Sequence, residues 1–361
     1  MSPSTGKNHK SRWRRWLGRL TLLALLAVLA VVGAGGWVWW RLNIPFRAAG
    51  AQELVTIAPG TSAGRILDQL AAAGLIADAR LARLYLVRVL RSPPLKAGEY
   101  RFTEPLSTPQ VLAKLISGEV VSHPVTLVEG LTLEETAEQL AAAGFGELPE
   151  LLAAMRDPGL IRDVDPQAPD LEGYLFPDTY HFAHGTPAEQ VVRTLVTHFR
   201  HQMTAEVEPL LPPPERRSRD LRQLVTLASI VEKEARLDEE RPIIAGVYAN
   251  RLRQGIALYA DPTVIFALKR LGRWNGNLRR PDLQLDSPYN TYRYPGLPPG
   301  PIASPGLSSL LAAAQPADVP YLYFVSRNDG SHVFARTLAE HNRNVEQWQK
   351  RYWRERWARQ R

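Results

Sequence analysis

The sequence predicts an α+β fold with an N-terminal transmembrane helix, a small α+β region, and a larger mixed α/β domain built around one glutamate-bearing helix. Three observations carry that reading. Leu20 to Trp40 contains no charged residue. A strand, turn and helix pattern recurs at an offset of 70 residues. Asp220 to Arg241 spaces its apolar residues at helical intervals and then presents two carboxylates. The expected organisation is a basic N-terminus over 1–19, a membrane helix over 20–40, a repeat-bearing region over 41–147 and a catalytic domain over 148–361.

The apolar run is justified by length. Its 21 residues, at the helical rise, span about 31 Å, close to the hydrocarbon thickness of a bilayer. Gly-Trp-Val-Trp-Trp at its end reads as an aromatic interface belt, where a cleaved leader would carry small residues. Lys7, Lys10, Arg12, Arg14, Arg15 and Arg19 precede it with no acid among them, which places the N-terminus in the cytoplasm and the rest outside the inner membrane. The chain of 361 residues carries a formal charge of +8, and its second basic cluster is the tail QKRYWRERWARQR. With no recognition motif beside it, that tail reads as a solvated helix face with Trp348, Tyr352, Trp353 and Trp357 partly packed. Nucleic acid is not an expected partner. The absence of cysteine excludes disulfides, thiolate metal sites and cysteine nucleophiles.

After a connector at 41–50, VTIAPGTSAGRILDQLAAAG (Val55 to Gly74) matches VTLVEGLTLEETAEQLAAAG (Val125 to Gly144). Each copy reads as a short strand, a Gly-bearing turn, and an amphipathic helix closed by Gly. Between them, Leu81 to Leu90 and Thr108 to Ile116 are expected as helices and Gly98 to Phe102 as a strand. The pattern is similar to LysM-type modules, which bind N-acetylglucosamine-containing glycans. Helices continue to about Arg162, Leu171 to Tyr180 forms a shaped loop and strand, and Pro187 to Gln202 is a helix ending before the Leu211-Pro212-Pro213-Pro214 break. Arg241 to Arg253 continues the central helix, and Asp261-Pro262-Thr263 begins a turn. The Pro- and Gly-rich path from Ser287 to Pro305 is extended and rigid. Tyr321 to Val325 and His332 to Ala335 form a hairpin around Asn328-Asp329-Gly330-Ser331, and a last helix from Leu338 carries His341 and Asn342.

In the central helix Leu221, Leu224, Val225, Ala228, Val231 and Ala235 share one face, and Asp220 suits the N-cap. Glu234 lies at the margin of the apolar stripe and Glu232 nearer its centre. An apolar cleft would raise the pKa of either and let it hold a proton near neutrality. Helical geometry does not choose between them, and both could instead pair with Lys233, Arg236 or Arg241. No phosphate-binding Gly loop, Ser-His-Asp order or metal-ligand cluster is visible, so neither cofactor nor metal is expected. Glutamates on a core helix, Asp261, and loops rich in aromatic and amide side chains suit a glycan. His332 and His341 read as polar-contact residues.

Taken in order, LEGYLFPDTY, LASIVEKEA, NRL at Asn250 to Leu252, DPTV at Asp261 to Val264, SPYNTY, GLPPGPI, YLYFV and EHN at Glu340 to Asn342 resemble the endolytic murein transglycosylases, the MltG or YceG-like family, over roughly residues 50 to 345. The resemblance implies a membrane-anchored enzyme with a LysM-like subdomain. It would cut nascent peptidoglycan strands between N-acetylmuramic acid and N-acetylglucosamine, leaving 1,6-anhydro ends and terminating elongation. Peptidoglycan synthases would be companion partners. It favours Glu234 over Glu232 as the single acid. The loop-built cleft such a reaction needs would draw on Tyr289, Asn290, Tyr292, Asp261 and His332 as substrate-positioning residues. The chain varies mildly at Ala235, where the family usually has Thr or a small residue, and departs at Leu258-Tyr259-Ala260, where Leu-Gln-Thr or Leu-Gln-Ser is common. Two alternatives are a two-carboxylate muramidase using Asp261 and a membrane-anchored glycan-binding scaffold without turnover.

Overall fold

The computed structural model describes residues 9–213, 220–352, 354 and 356. Lys7, Pro214, Trp353 and Trp357, and the side chains of Lys10, Arg12, Arg14 and Arg15, lie outside the described residues. The chain forms two compact units, residues 1–122 and 123–361.

The first unit begins with α1 (His9–Asn43), whose segment Arg19–Asn43 is long and apolar enough to cross a membrane and is uncovered by protein up to Trp37. Strand β1 (Leu54–Ile57) pairs antiparallel with β2 (Gly98–Arg101), setting Val55 opposite Tyr100. Val55 and Ile57 point inward as the period of a strand requires. They meet Ile66, Leu67 and Leu70 of α2 (Ala63–Ala72), Leu86 of α3 (Ala79–Arg88), and Leu112 and Leu115 of α4 (Thr108–Ser117). Gly74 closes α2 at φ +74°, and a Cβ there would stand 2.8 Å from Ala48.

The second unit opens with the other copy of the repeat. Strand β3 (His123–Thr126) pairs antiparallel with β4 (Thr179–Phe182), and α5 (Leu133–Ala142) packs on α6 (Leu148–Arg156), which in turn meets α7 (Ala188–Gln202). The division at 122/123 therefore parts the two copies, where the sequence reading had kept both within 41–147. The reason is pairing. Each strand of the repeat takes its hydrogen-bond partner from its own unit, and Val125, Leu127, Leu133 and Leu140 join the second core.

That core surrounds α8 (Leu221–Glu234). Asp220 caps it by accepting from the Gln223 N–H at 2.8 Å, and Leu224 through Val231 are buried on every side. The expected single apolar face is thus a helix covered all round, by α9 (Arg241–Arg253), α10 (Asp261–Arg270) and α11 (Leu307–Ala314). Of its two buried hydroxyls, Ser229 Oγ donates to the Thr226 carbonyl at 2.8 Å and accepts the Ile302 N–H at 3.1 Å, whereas the Thr226 hydroxyl has no partner among the described residues. The helix does not continue into α9. Ala235 is extended at ψ 135°, and a 3-10 turn at Asp238–Glu240 intervenes before Pro242 restarts a helix in its first turn, where its missing N–H costs nothing. Likewise Asp261 begins α10 itself, where a turn was expected.

Strands β5 (Tyr323–Ser326) and β6 (His332–Ala335) form the expected antiparallel hairpin, and α12 (Leu338–Val345) follows. All strand pairs among the described residues are antiparallel and two-stranded, so the larger unit is α+β rather than mixed α/β.

Gly173 ties the loop Leu171–Tyr180 to this frame. It adopts φ +84°, and a Cβ there would meet Pro301 at 2.4 Å and Val225 of α8 at 3.1 Å. Gly173→Ala is expected to cost about 2 kcal/mol or more in chemical denaturation, combining backbone strain with a collision in the core. Gly255 has a similar φ of +66° but open space around its Cβ direction, so Gly255→Ala should cost about 1 kcal/mol. Equal losses at both positions would mean that the packing at Gly173 is irrelevant.

Candidate functional site

The two glutamates of α8 have different surroundings. Glu232 is tied down: its carboxylate takes the Arg241 guanidinium at 3.0 Å and the Gly306 N–H at 3.0 Å, joining α8 to the starts of α9 and α11. Arg241 is itself held by Asp238 at 2.9 Å and by Ser309 Oγ at 2.6 Å, with Glu129 at 3.7 Å. These partners consume the oxygens of Glu232 in architecture.

Glu234, one half-turn on, is half-buried and has no ion-pair partner within 4 Å among the described residues. As the last residue of α8 it also sits where the unpaired helix carbonyls disfavour negative charge. Burial pushes its pKa up to about 7 and Asp261 adds to the rise, while the Tyr248 hydroxyl, donating at 3.2 Å, and Arg251 oppose it. The result is a carboxyl poised to exist in both forms near neutrality.

Helix α9 supplies those two opposing groups from one face, since Tyr248 and Arg251 are three residues apart. Arg251 donates to the carbonyls of Leu322 and Leu258, each at 2.6 Å, and its guanidinium lies over the Tyr323 ring at 5.2 Å and the Tyr259 ring at 5.8 Å. Asn250 fastens the same chain segment through the carbonyls of Val319 at 2.6 Å and Tyr321 at 2.9 Å. The Asn-Arg-Leu motif therefore anchors the hairpin against α9 and brings a cation near Glu234. Tyr259 is 51% exposed in a left-handed backbone at φ +50°, and its ring lies 5.3 Å from that of Tyr292. His341 of α12 faces Tyr323 at 5.2 Å, with a buried Nδ1 that has no hydrogen-bond partner among the described residues.

Of the residues expected from sequence, Asp261 and Tyr292 do come together: the Tyr292 hydroxyl donates to Asp261 at 2.6 Å, and both act electrostatically on Glu234 or its surroundings. A cavity of about 350 Å³ opens beside Glu234, lined by Arg236 and, from the hairpin, Ser326, Asn328, Gly330 and His332. His332 reaches this wall with its ring and N–H both fixed on Glu240, at 2.6 and 2.8 Å. A larger cavity of about 820 Å³ between α6 and α7 contains none of the expected site residues.

Two expectations do not fit. Asn290 is fully buried and spends its amide on the carbonyls of Leu283 and Leu285, at 3.0 and 2.8 Å, so it shapes the Ser287–Tyr292 loop from within. Tyr289 packs its ring on Phe266 at 4.9 Å, and its charged neighbours are Arg270, Asp170 and Glu172 rather than Glu234. Sequence reasoning also passed over Glu172, whose carboxyl burial pushes up to about 8. It is 3% exposed and accepts the first N–H of α5 from Leu133 at 3.1 Å, which makes it a buried tie rather than an open acid. Tyr248, Arg251, Tyr259, Tyr323 and His341 were likewise not singled out as site residues. The available signal was the i, i+3 spacing of Tyr248 and Arg251 just after the glutamate helix.

The YceG-like family profile matches residues 55–347. An endolytic murein transglycosylase of Bacillus subtilis (strain 168) is 32% identical over 310 residues, covering 81% of this chain and 84% of that protein. One from Streptococcus pneumoniae serotype 2 is 29% identical, covering 82% of this chain and 59% of the relative. The crystal structure of a YceG-like protein of Listeria monocytogenes aligns with TM-score 0.55 at 33% identity, covering 80% of this chain and 97% of that one.

The opposing influences on Glu234 give a signed expectation. Tyr248→Phe keeps shape but removes the donor to the carboxylate, so the Glu234 pKa should rise above about 7. Asp261→Asn removes a neighbouring negative charge, so the pKa should fall. Carbon-13 titration of the Glu234 carboxyl, assigned by its loss in Glu234→Gln, measures both. Shifts of the same sign in the two variants would contradict this arrangement.

Proposed function

Since the chain belongs to the YceG-like family, we propose that it is a membrane-anchored endolytic murein transglycosylase whose single catalytic acid is Glu234. The observation that carries this reading is the half-buried, unpaired Glu234 with its pKa raised to about 7 at the mouth of a cavity. In the proposed reaction Glu234 protonates the oxygen linking N-acetylmuramic acid to N-acetylglucosamine, and positive charge develops at the muramic C1. The carboxylate so formed is stabilised by the Tyr248 hydroxyl and the Arg251 charge, which keeps it a moderate base. It then removes the proton of the sugar's own C6 hydroxyl as that oxygen attacks C1 and closes a 1,6-anhydro ring. No second carboxylate is needed, because the nucleophile is part of the substrate. What the site must do is orient that hydroxyl and exclude water. The exposed ring of Tyr259 and the half-buried ring of Tyr292 suit the faces of pyranose rings, and His332, Ser326 and Asn328 offer polar edges to the cavity.

Helix α1 is proposed to span the inner membrane with its N-terminus in the cytoplasm, leaving the chain after Asn43 outside. Of the repeat-bearing region expected over 41–147, the part in the first unit, residues 41–122, is proposed to grip the glycan in LysM fashion without performing chemistry. A two-carboxylate muramidase is a second reading, supported by Asp261 being exposed near Glu234. In that case Asp261 would activate water.

Glu234→Gln should lower turnover on glycan strands by about 10²- to 10⁴-fold while leaving the denaturation midpoint nearly unchanged. Wild-type kcat/KM should fall as pH rises through about 7, because the protonated acid is lost. Glu232→Gln should instead destabilise by about 1–3 kcal/mol, with Asp238 and Glu129 still opposing Arg241, and should retain activity once folded. A folded Glu234→Gln protein with full turnover would defeat the assignment, and wild type that binds strands without cutting them would favour the scaffold.

A further inference from the structure

Helix α3 exposes a face that its own unit leaves unused. Arg80, Arg83, Leu84, Val87 and Arg88 recur at intervals of three and four and are all exposed, with Arg91 continuing the row. Leu84 and Val87 are 48% and 49% exposed, and Val89 just beyond is 60% exposed. The opposite face carries Ala82 and Leu86 into the core. None of the four arginines forms an ion pair among the described residues. A surface that mixes bare aliphatic side chains with unpaired guanidinium groups is suited neither to plain water nor to a sugar, for which stacking aromatics would be expected.

The place of this face in the fold indicates what covers it. Helix α3 and helix α4 both pack against α1. Along α1 only Val38, Arg41 and Leu42 are even partly covered among the residues whose exposure is described, so that packing lies at its C-terminal end. Exposed Trp37, Trp39 and Trp40 lie at the same end, where an aromatic belt marks the boundary between hydrocarbon and headgroups. From Trp37 to Leu42 the helix rises only about 8 Å, comparable to the depth of the headgroup layer. The element beside Leu42 is thereby held at the membrane surface.

We propose that the exposed face of α3 lies on the bilayer where α1 emerges, with Leu84 and Val87 among the acyl-chain ends and Arg80, Arg83 and Arg88 on anionic phospholipid headgroups. This rests on the reading of α1 as a membrane span. Long arginine stems allow the charges to reach phosphate while the aliphatic residues sink below them. The first unit would then be braced against the membrane at two points, the anchor and this face, which fixes its tilt. Anionic headgroups strengthen such contacts through each arginine near the surface.

The chain has no cysteine, so Leu84→Cys provides a unique labelling position on an already exposed residue. The full-length protein carrying an environment-sensitive fluorophore there would be reconstituted in phosphatidylcholine vesicles, with and without phosphatidylglycerol, containing as quencher a lipid spin-labelled near the headgroup or, for the mid-span control, near the acyl-chain end. Val31→Cys, in the middle of α1, serves as the anchor control. With phosphatidylglycerol present, the Leu84 label should shift to the blue and be quenched by the spin-labelled lipid. Most of that quenching should be lost in pure phosphatidylcholine or on combined substitution of Arg80, Arg83 and Arg88 by Glu. A Leu84 label that stays open to aqueous iodide while the Val31 label is quenched by lipid overturns the proposal and leaves the anchor intact. If neither label is reached by lipid, α1 is not inserted and both readings fall.

Discussion

The interaction on which the rest of the site depends is the burial of α8. A helix covered all round must end somewhere, and this one ends with a carboxyl group at its carbonyl-rich terminus. Water is partly excluded there, and the helix end opposes negative charge. The surrounding elements temper that cost without cancelling it. Tyr248 and Arg251 favour the carboxylate, burial and Asp261 favour the acid, and the balance lies near neutrality. A fully paired Glu234 would be held as the anion. An unrelieved one would hold its proton too firmly to act as a base afterwards.

Glu232 and Glu234 show how two residues of one type, two positions apart, are assigned opposite tasks by their partners. Glu232 meets Arg241 and the Gly306 N–H and closes the junction of three helices. The break at Ala235 makes this possible. Because the chain leaves α8 in an extended conformation and re-enters a helix at Arg241, Arg241 turns back toward Glu232 while α9 presents Tyr248 to Glu234. A continuous helix would have carried Arg241 and Tyr248 away along one axis. The local departure from regular structure is thus what separates the structural carboxylate from the free one.

Much of this was legible in the sequence where a short-range rule governs. Asp220 was readable as a cap, Asn328-Asp329-Gly330 as a hairpin turn, and Gly74 and Gly144 as helix stops with positive φ. What was not legible depends on pairings distant in sequence. The two copies of the repeat look alike, yet β3 takes its partner from Thr179–Phe182, which assigns the second copy to the larger unit. Asn290 looked like a substrate amide because it stands among tyrosines, but backbone carbonyls of its own loop claim it. Glu232 and Glu234 take different angles on a helical wheel, but the wheel does not say which is tied down, since Arg241 and Tyr248 reach them across a break that it does not contain.

The claim most open to a direct check is that one carboxyl suffices because the substrate supplies its own nucleophile. Mass analysis of the newly formed muramic ends, released from defined glycan strands by the wild-type protein, reads this without any substitution. The expected result is a terminus one water lighter than a reducing sugar, formed even when the reaction is run with abundant water. Reducing ends, with oxygen-18 incorporated from labelled solvent, would contradict the account and transfer the second half of the reaction to a water-activating carboxylate such as Asp261.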